Sequence, residues 1–193
     1  MIVIPMAGLS SRFFKAGYKK PKYMLTINGK SLFKLTVESF KKYFSNSNFV
    51  FIVREDFDTP NFVSNEIREL GIKNYQLVIL AHETKGQAET VYLGVQAANP
   101  DESEELTVFN IDTIRPDFEY PELSELGDGY LEVFEGSGTN WSFAKPLHKG
   151  SSVVEITAEK NPISNLCSTG LYHFKSVGMY IDAYKKESTK KES

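Results

Sequence analysis

Residues 7–12 read Ala-Gly-Leu-Ser-Ser-Arg and follow directly on the apolar run Ile2–Pro5. Ala7 and Gly8 carry almost no side chain, so the backbone there can approach a ligand closely and aim N–H groups at phosphate oxygens. Leu9 continues that loop, Ser10 and Ser11 add hydroxyl donors, and Arg12 adds a planar fork suited to phosphate. Ten residues beyond Arg12, Pro21-Lys22 sets an ammonium beside a stiff residue. A second group of interest closes the run Val108-Phe109-Asn110-Ile111-Asp112. An aspartate at the carboxyl end of an apolar strand is a Mg²⁺ ligand when phosphate is held nearby, because Mg²⁺ favours one or two carboxylates plus substrate phosphates. Alone, the loop reads equally as a turn and Asp112 as a cap or surface carboxylate. The loop is neither a Walker P-loop nor a dinucleotide fingerprint, since neither glycine spacing is present.

These residues need a frame to position them. The fourth-strand run Leu106–Ile111, like Ile2–Pro5, Phe49–Val53 and Leu77–Ala81, is short and apolar, as buried parallel strands are. Between them lie helical spacings. Ser31 caps a helix carrying Phe33, Val37, Phe40 and Phe44; Val63, Ile67 and Leu70 mark a second, ended by Gly71; Ala88, Val91, Tyr92 and Val95 mark a third. The order βαβαβαβ predicts a parallel sheet covered by helices, with ligands bound beyond the carboxyl ends of its strands. Tyr130–Phe134, Trp141–Ala144, Val153–Thr157 and Ser168–Phe174 then read as shorter strands, followed by a helix from about Val177. The expectation is an α/β, Rossmann-like, mostly parallel mixed sheet flanked by helices. It is one domain over 1–184, with a polar, frayed tail at 185–193.

Charge placement agrees with a phosphate ligand without requiring one. No acidic residue precedes Glu38, whereas Arg12, Lys15, Lys19, Lys20, Lys22, Lys30 and Lys34 do. From Asp101 to Glu135 the balance reverses, with only Arg115 opposing many carboxylates. Two solvated faces of opposite sign is the ordinary reading, and a loop kept free of carboxylates for a polyphosphate is the sharper one. The formal net charge of −3 argues against a general nucleic-acid binder. A single cysteine, Cys167, excludes an internal disulfide and any multi-cysteine metal site, and three scattered histidines form no zinc motif. The apolar start Met1–Pro5 is too short for a signal peptide, and no run approaches membrane-spanning length. The chain therefore reads as soluble and cytoplasmic, with no membrane insertion. Its oligomeric state is left open.

The ordered set of motifs resembles the nucleotidyltransferases that activate sugar phosphates. Ala7-Gly8-Leu9-Ser10-Ser11-Arg12 and Pro21-Lys22-Tyr23-Met24 are similar to the family's A-G-x-G-x-R and P-K-P-L, and Asn28-Gly29-Lys30-Ser31-Leu32 to its entry into the first helix. Gly86-Gln87-Ala88 resembles the small-residue motif that borders base and ribose; with Thr84 it completes the implied nucleotide-binding set. Asp112 stands where the family carries its Mg²⁺ aspartate. Glu159-Lys160 and Thr169-Gly170 resemble the segments that meet the sugar phosphate. The Pro5–Gly8 opening and Trp141–Lys145 are most similar to the branch found in bacterial capsule and lipopolysaccharide gene sets. The resemblance runs from about Met1 to Phe174. It implies a GT-A-like nucleotide-diphospho-sugar transferase fold of EC 2.7.7 type, with a nucleotide-binding part at 1–112 and a sugar-phosphate-binding part at 113–184. An NTP is joined to a sugar phosphate or similar phosphomonoester, with Mg²⁺ as cofactor and pyrophosphate released. Arg12 and Lys22 are the implied catalytic cations.

Three departures stand out. Ser10 replaces the second glycine, Tyr23 replaces the second proline, and a further Mg²⁺ aspartate of many members has no match, the chain ending some tens of residues before their usual length. Two other functions stay open at this point. One is a GT-A glycosyltransferase using a finished nucleotide sugar, although Asn110-Ile111-Asp112 keeps only the second aspartate of D-x-D. The other is a non-catalytic nucleotide-binding module.

Overall fold

The computed structural model describes residues 1–122 and 127–190. In chain order the first half comprises β1 (Ile2–Pro5), α1 (Ser11–Lys15), a 3₁₀ turn at Lys22–Met24, the small hairpin β2 (Thr26–Ile27) and β3 (Lys30–Ser31), and α2 (Leu32–Val37). It continues with a 3₁₀ turn at Glu38–Tyr43, β4 (Phe49–Arg54), a 3₁₀ turn at Asp56–Asp58, α3 (Thr59–Leu70), β5 (Tyr75–Leu80), α4 (Gln87–Ala98) and β6 (Leu106–Phe109). The second half comprises β7 (Gly129–Glu135), β8 (Ser142–Pro146), β9 (Val154–Glu159), β10 (Leu166–Phe174) and α5 (Val177–Lys190).

Strands β5, β4, β1 and β6 run parallel and side by side. Their βα crossovers place helices on both faces, which is why these strands read as unbroken apolar runs. Helices α2 and α3 cover one face over Phe33, Phe40, Phe49, Phe51 and Phe109, all fully buried. Helices α4 and α5 cover the other over Val3, Val50, Ile52, Val91, Val95 and Val177. Each such side chain contributes roughly 1.5–3 kcal/mol on burial, so two apolar faces hold the sheet rigid beneath the strand ends. Gly71 closes α3 with a φ of 73°, in the left-handed region.

Strand β10 joins the sheet antiparallel to β6, with Leu171 opposite Phe109. Strand β7 follows one edge of β10 from Leu166 to Phe174. The other edge is shared: β6 occupies it at Leu171–Phe174, and β8 meets it at Cys167. Leu171 lies four positions after Cys167, roughly 13 Å along the strand. The β8–β9 hairpin is thereby carried past the carboxyl end of β6.

Strand ends shift by one or two residues from the sequence expectation, and two helix boundaries differ more. The helix expected through Phe44 tightens to 3₁₀ after Val37, and Phe40 leaves helical geometry (φ −99°, ψ 21°). The pull is tertiary: Thr36 Oγ1 donates to the Ile111 carbonyl, and Ser39 Oγ accepts from the Arg115 N–H. Helix α5 also continues to Lys190, into the stretch read as a tail, whose last residues 191–193 lie outside the described residues. Among the described residues no helix is long and apolar enough to cross a membrane.

Candidate active site

A cleft of about 400 Å³ opens at the carboxyl ends of β1 and β6. Its floor is the strand end Pro5-Met6 with Ala7, Gly8 and Leu9; one wall is Thr84, Gly86, Gln87 and Thr90, and the other is Asn110, Ile111 and Asp112. Lys22 and Tyr23 complete it. Eight residues singled out from sequence thus meet in one cavity: Ala7, Gly8, Leu9, Lys22, Thr84, Gly86, Gln87 and Asp112. Crossing connections bring them together from positions up to about 100 residues apart.

The loop after β1 is bent at Ser10, which sits in the left-handed region (φ 49°, ψ 27°) where α1 begins. A residue with a Cβ rarely adopts this conformation. Ser10 Oγ accepts a hydrogen bond from the Lys22 backbone N–H at 3.3 Å, which ties the loop to the 22–24 turn. Ser10, Ser11 and Arg12 themselves do not line the cleft. Arg12 is exposed on α1, and among the described residues its guanidinium has no hydrogen-bond or ion-pair partner.

Lys22 is placed by its neighbour. Tyr23 is buried in the core beneath the turn, with its ring against Phe62. Thr59 Oγ1 donates to the Asp56 carbonyl at 2.7 Å, so the 2.9 Å contact between Tyr23 and Thr59 has the phenol as donor. Burial raises the pKa of that hydroxyl and keeps it a donor. The Lys22 ammonium then reaches across the cleft to Asp112, 2.6 Å from Oδ2. Both groups are part exposed, at 25% and 44%, so each can exchange its partner for a ligand.

The wall from α4 is polar and pre-set. No side chain caps the helix, whose N-cap is Gly86, so its first N–H groups and the positive end of its dipole are available at the cleft. Thr90 Oγ1 donates to the Gly86 carbonyl and contacts Thr84 Oγ1 at 2.6 Å. Gln87 Nε2 donates to Asn110 Oδ1 at 2.7 Å, bridging the two walls. Asn110 is held from behind by Gly170, whose φ is 90° and where a Cβ would fall 2.2 Å from Asn110 Nδ2. Glu83, on the rim, faces Arg54 at 3.4 Å.

Asn110, Tyr23, Glu83 and Thr90 were missed as site residues. Alternation along Asn110-Ile111-Asp112 puts the first and third on one side, which was the available signal for Asn110. Glu159, Lys160, Thr169 and Gly170 do not line the cleft; Gly170 reaches it only through Asn110. Lys160 pairs with Glu159 at 3.3 Å, Glu159 accepts from Ser142 Oγ, and Thr169 Oγ1 donates to Glu132 at 3.0 Å. Glu159 ends β9, Lys160 follows it, and Thr169 and Gly170 lie on β10, in the part of the sheet that extends beyond β6.

The described residues contain no group of three or more His, Cys, Asp or Glu able to cage a metal. Asp112, with Glu83 on the rim, thus supplies the carboxylates of a cleft that also presents N–H donors and a lysine. That donor set suits a hard cation that arrives with phosphate oxygens of its own.

Comparison with known proteins follows the same geometry. The chain is similar to the nucleoside-diphosphate-sugar pyrophosphorylase of Vibrio cholerae RC9, at 56% identity and a TM-score of 0.92, over 97% of this chain and 78% of that one. It also superposes on the inositol-1-phosphate CTP transferase of T. maritima (TM-score 0.69, 20% identity, 93% of this chain and 71% of that one). A UTP-bound UGPase of Acinetobacter baumannii aligns at a TM-score of 0.65 and 14% identity, over 93% and 75%. At these lower identities the likeness shows the fold. No family model matches the chain, and no curated protein matches it.

Proposed function

The chain belongs to the sugar-phosphate nucleotidyltransferase family, the nucleoside-diphosphate-sugar pyrophosphorylases, and from that premise we propose that it joins an NTP to a sugar phosphate through the cleft around Lys22 and Asp112. A phosphate oxygen of the acceptor attacks the α-phosphorus, the bond from that phosphorus to the α–β bridging oxygen breaks, and pyrophosphate leaves. The acceptor phosphate is already a nucleophile, so no serine or histidine base is required. Catalysis then rests on positioning and charge neutralisation.

The observation that carries the reading is the Lys22–Asp112 pair at 2.6 Å, an ammonium and a carboxylate held across a cleft of N–H donors. On nucleotide entry Lys22 turns from Asp112 to the α-phosphate, where charge develops. Arg12, exposed on α1, takes the β- and γ-phosphates. Ala7, Gly8, Leu9, Ser10 and Ser11 bring the backbone of their loop to the phosphates, and Thr84, Gly86 and Gln87 border base and ribose. Asp112 would hold Mg²⁺, whose charge would help to neutralise phosphate oxygens. Glu159, Lys160, Thr169 and Gly170 serve the acceptor half. Asn110 disfavours a D-x-D glycosyltransferase reading, since its Oδ1 is engaged by Gln87. The Pro5–Gly8 opening and Trp141–Lys145 support a product destined for capsule or lipopolysaccharide, made in the cytoplasm where NTPs are supplied.

The test is pyrophosphate release from mixtures of each NTP, Mg²⁺ and a panel of sugar phosphates. Lys22→Ala and Asp112→Ala are each expected to lower the rate by ~10²–10³ while leaving the fold intact. Wild-type rates in both variants would overturn these roles.

A further inference from the structure

The parallel half of the sheet ends on a strand whose outer edge is open. Strand β5 pairs with β4 alone, in unbroken register from Tyr75 to Leu80, and among the described residues no strand lies on its other side. Edge strands are usually blunted by lysine, proline, charge or a bulge. Strand β5 has none of these: it reads Tyr-Gln-Leu-Val-Ile-Leu and carries no charged residue. Its β-branched and aromatic residues favour extended chain. Tyr75 is 44% exposed and Ile79 48%.

The backbone at this edge has a fixed direction. The Phe49 N–H donates to the Asn74 carbonyl at 3.0 Å. Alternation from that bond turns the N–H and C=O groups of Gln76, Val78 and Leu80 toward β4, and those of Tyr75, Leu77 and Ile79 outward. The side chains of Tyr75, Leu77 and Ile79 also share one face of the strand, on which Leu77 packs against the core beneath α2 and α3. The open edge thus offers backbone donors and acceptors in a regular row, beside the exposed side chains of Tyr75 and Ile79.

We infer that β5 is a dimer seam, with a second copy of this chain paired antiparallel along it about a dyad at Leu77. The inference does not rest on the nucleotidyltransferase reading. Outward backbone groups meet outward groups only where odd-numbered residues face odd-numbered ones, so the dyad passes through a residue and not between two. At Leu77 it sets Tyr75 of each copy opposite Ile79 of the other, an aromatic and β-branched pair on one face at either end of the seam. Moved to Gln76, the dyad would set Ile79 against Lys73; moved to Val78, it would set Tyr75 against Ala81. Lys73 precedes the strand and Glu83 follows it. Antiparallel pairing therefore brings a cation of one copy toward a carboxylate of the other at each end, whereas parallel pairing would bring like charges together. This self-match favours a second copy over an extended segment of another protein. Such an interface is isologous and closes at a dimer. Because the paired strands run in opposite directions, the two clefts, each at the carboxyl ends of its own strands, open at opposite ends of the joined sheet.

Sedimentation of the protein is expected to give twice the mass of one chain. Ile79→Lys puts a charge opposite Tyr75 and should return the mass to that of one chain. Since Ile79 is half exposed, that variant should melt within a few degrees of wild type. Cysteines test the register. Directly opposed residues in a hydrogen-bonded antiparallel pair have Cα atoms about 5.5 Å apart, within reach of a disulfide. A chain carrying both Tyr75→Cys and Ile79→Cys should therefore cross-link to a second chain on mild oxidation. Neither substitution alone should, because the same position in the two copies is separated by roughly 13 Å or more. The native Cys167 is buried and does not compete. Hydrogen exchange identifies the occupant: the amides of Tyr75 and Leu77 should be protected in the wild-type protein and exchange freely in Ile79→Lys, with Gln76 and Val78 protected in both. The mass of one chain at every concentration, a dimer that survives Ile79→Lys, or cross-linking by either single substitution overturns the inference. Protection of Tyr75 and Leu77 that persists in a single-chain Ile79→Lys would mean that another segment covers the edge, and overturns the second copy as its occupant.

Discussion

Ser10 shows how one residue can exchange backbone freedom for a tether. Its φ of 49° is the conformation for which glycine is the usual choice. A non-glycine residue held there costs roughly 1–2 kcal/mol. The hydrogen bond from the Lys22 N–H to Ser10 Oγ contributes about 0.5–1.5 kcal/mol in return, so the two terms nearly offset. Ser10→Gly is therefore expected to leave the melting temperature within a few degrees. Lys22 loses its tether to the loop, and kcat for pyrophosphate release falls. Ser10→Ala keeps the strained backbone and loses the bond, so its melting temperature should drop by about 2–4 °C. Thermal melts on the two variants separate these cases: an alanine variant as stable as wild type would mean that the hydroxyl contributes nothing.

At the scale of elements, the sequence placed the parallel strands and three helices well because their apolar spacing is a local property. The Phe33, Val37, Phe40, Phe44 spacing was read as one helix. All four are buried, yet the chain turns 3₁₀ between them because Ile111 and Arg115, some 75 residues away, bind Thr36 and Ser39. No window of local sequence contains such a partner. Tyr23 is the parallel case at the site. A tyrosine in a polar loop, standing where related sequences carry proline, gave no sign that it anchors the turn. Its ring is 3% exposed and its hydroxyl donates to Thr59. Tyr23→Phe removes one hydrogen bond and should cost about 1 kcal/mol with activity near wild type. Tyr23→Ala also empties a core position, costing ~3–5 kcal/mol, and frees the backbone beneath Lys22. Denaturant unfolding and pyrophosphate release on both variants check this, and equal losses from the two would show that the ring is not the anchor.

Over the whole molecule, the strand-end rule located the cleft, but the bonds that cross it were hidden. Lys22–Asp112 and Gln87–Asn110 each span separations that only the assembled sheet closes. At the other end of the same sheet, away from the cleft, lies a histidine whose partners no local motif marks. His173 is buried at the amino end of β6, opposite Thr107, with its Nδ1 3.0 Å from Thr107 Oγ1. Tyr130 stacks on it and Tyr120 meets it edge to face. Burial holds its pKa below the ordinary 6.5; the Glu105 carboxylate opposes that shift and the N-terminal ammonium adds to it. The unfolded chain therefore takes up a proton at His173 near pH 6.5, before the folded one does. Stability from this group is fully present above that pH and declines as pH falls through the lowered folded value. Melting temperatures between pH 7.5 and pH 5 should fall in the wild-type protein and fall less in His173→Gln, which keeps a polar partner for Thr107. Lys22 and Asp112 are held at the opposite end of the strands, so the pH dependence of pyrophosphate release below the melting range should be the same in the two proteins. Parallel melting curves across that pH range would show that burial of His173 does not set the acid limit of this fold.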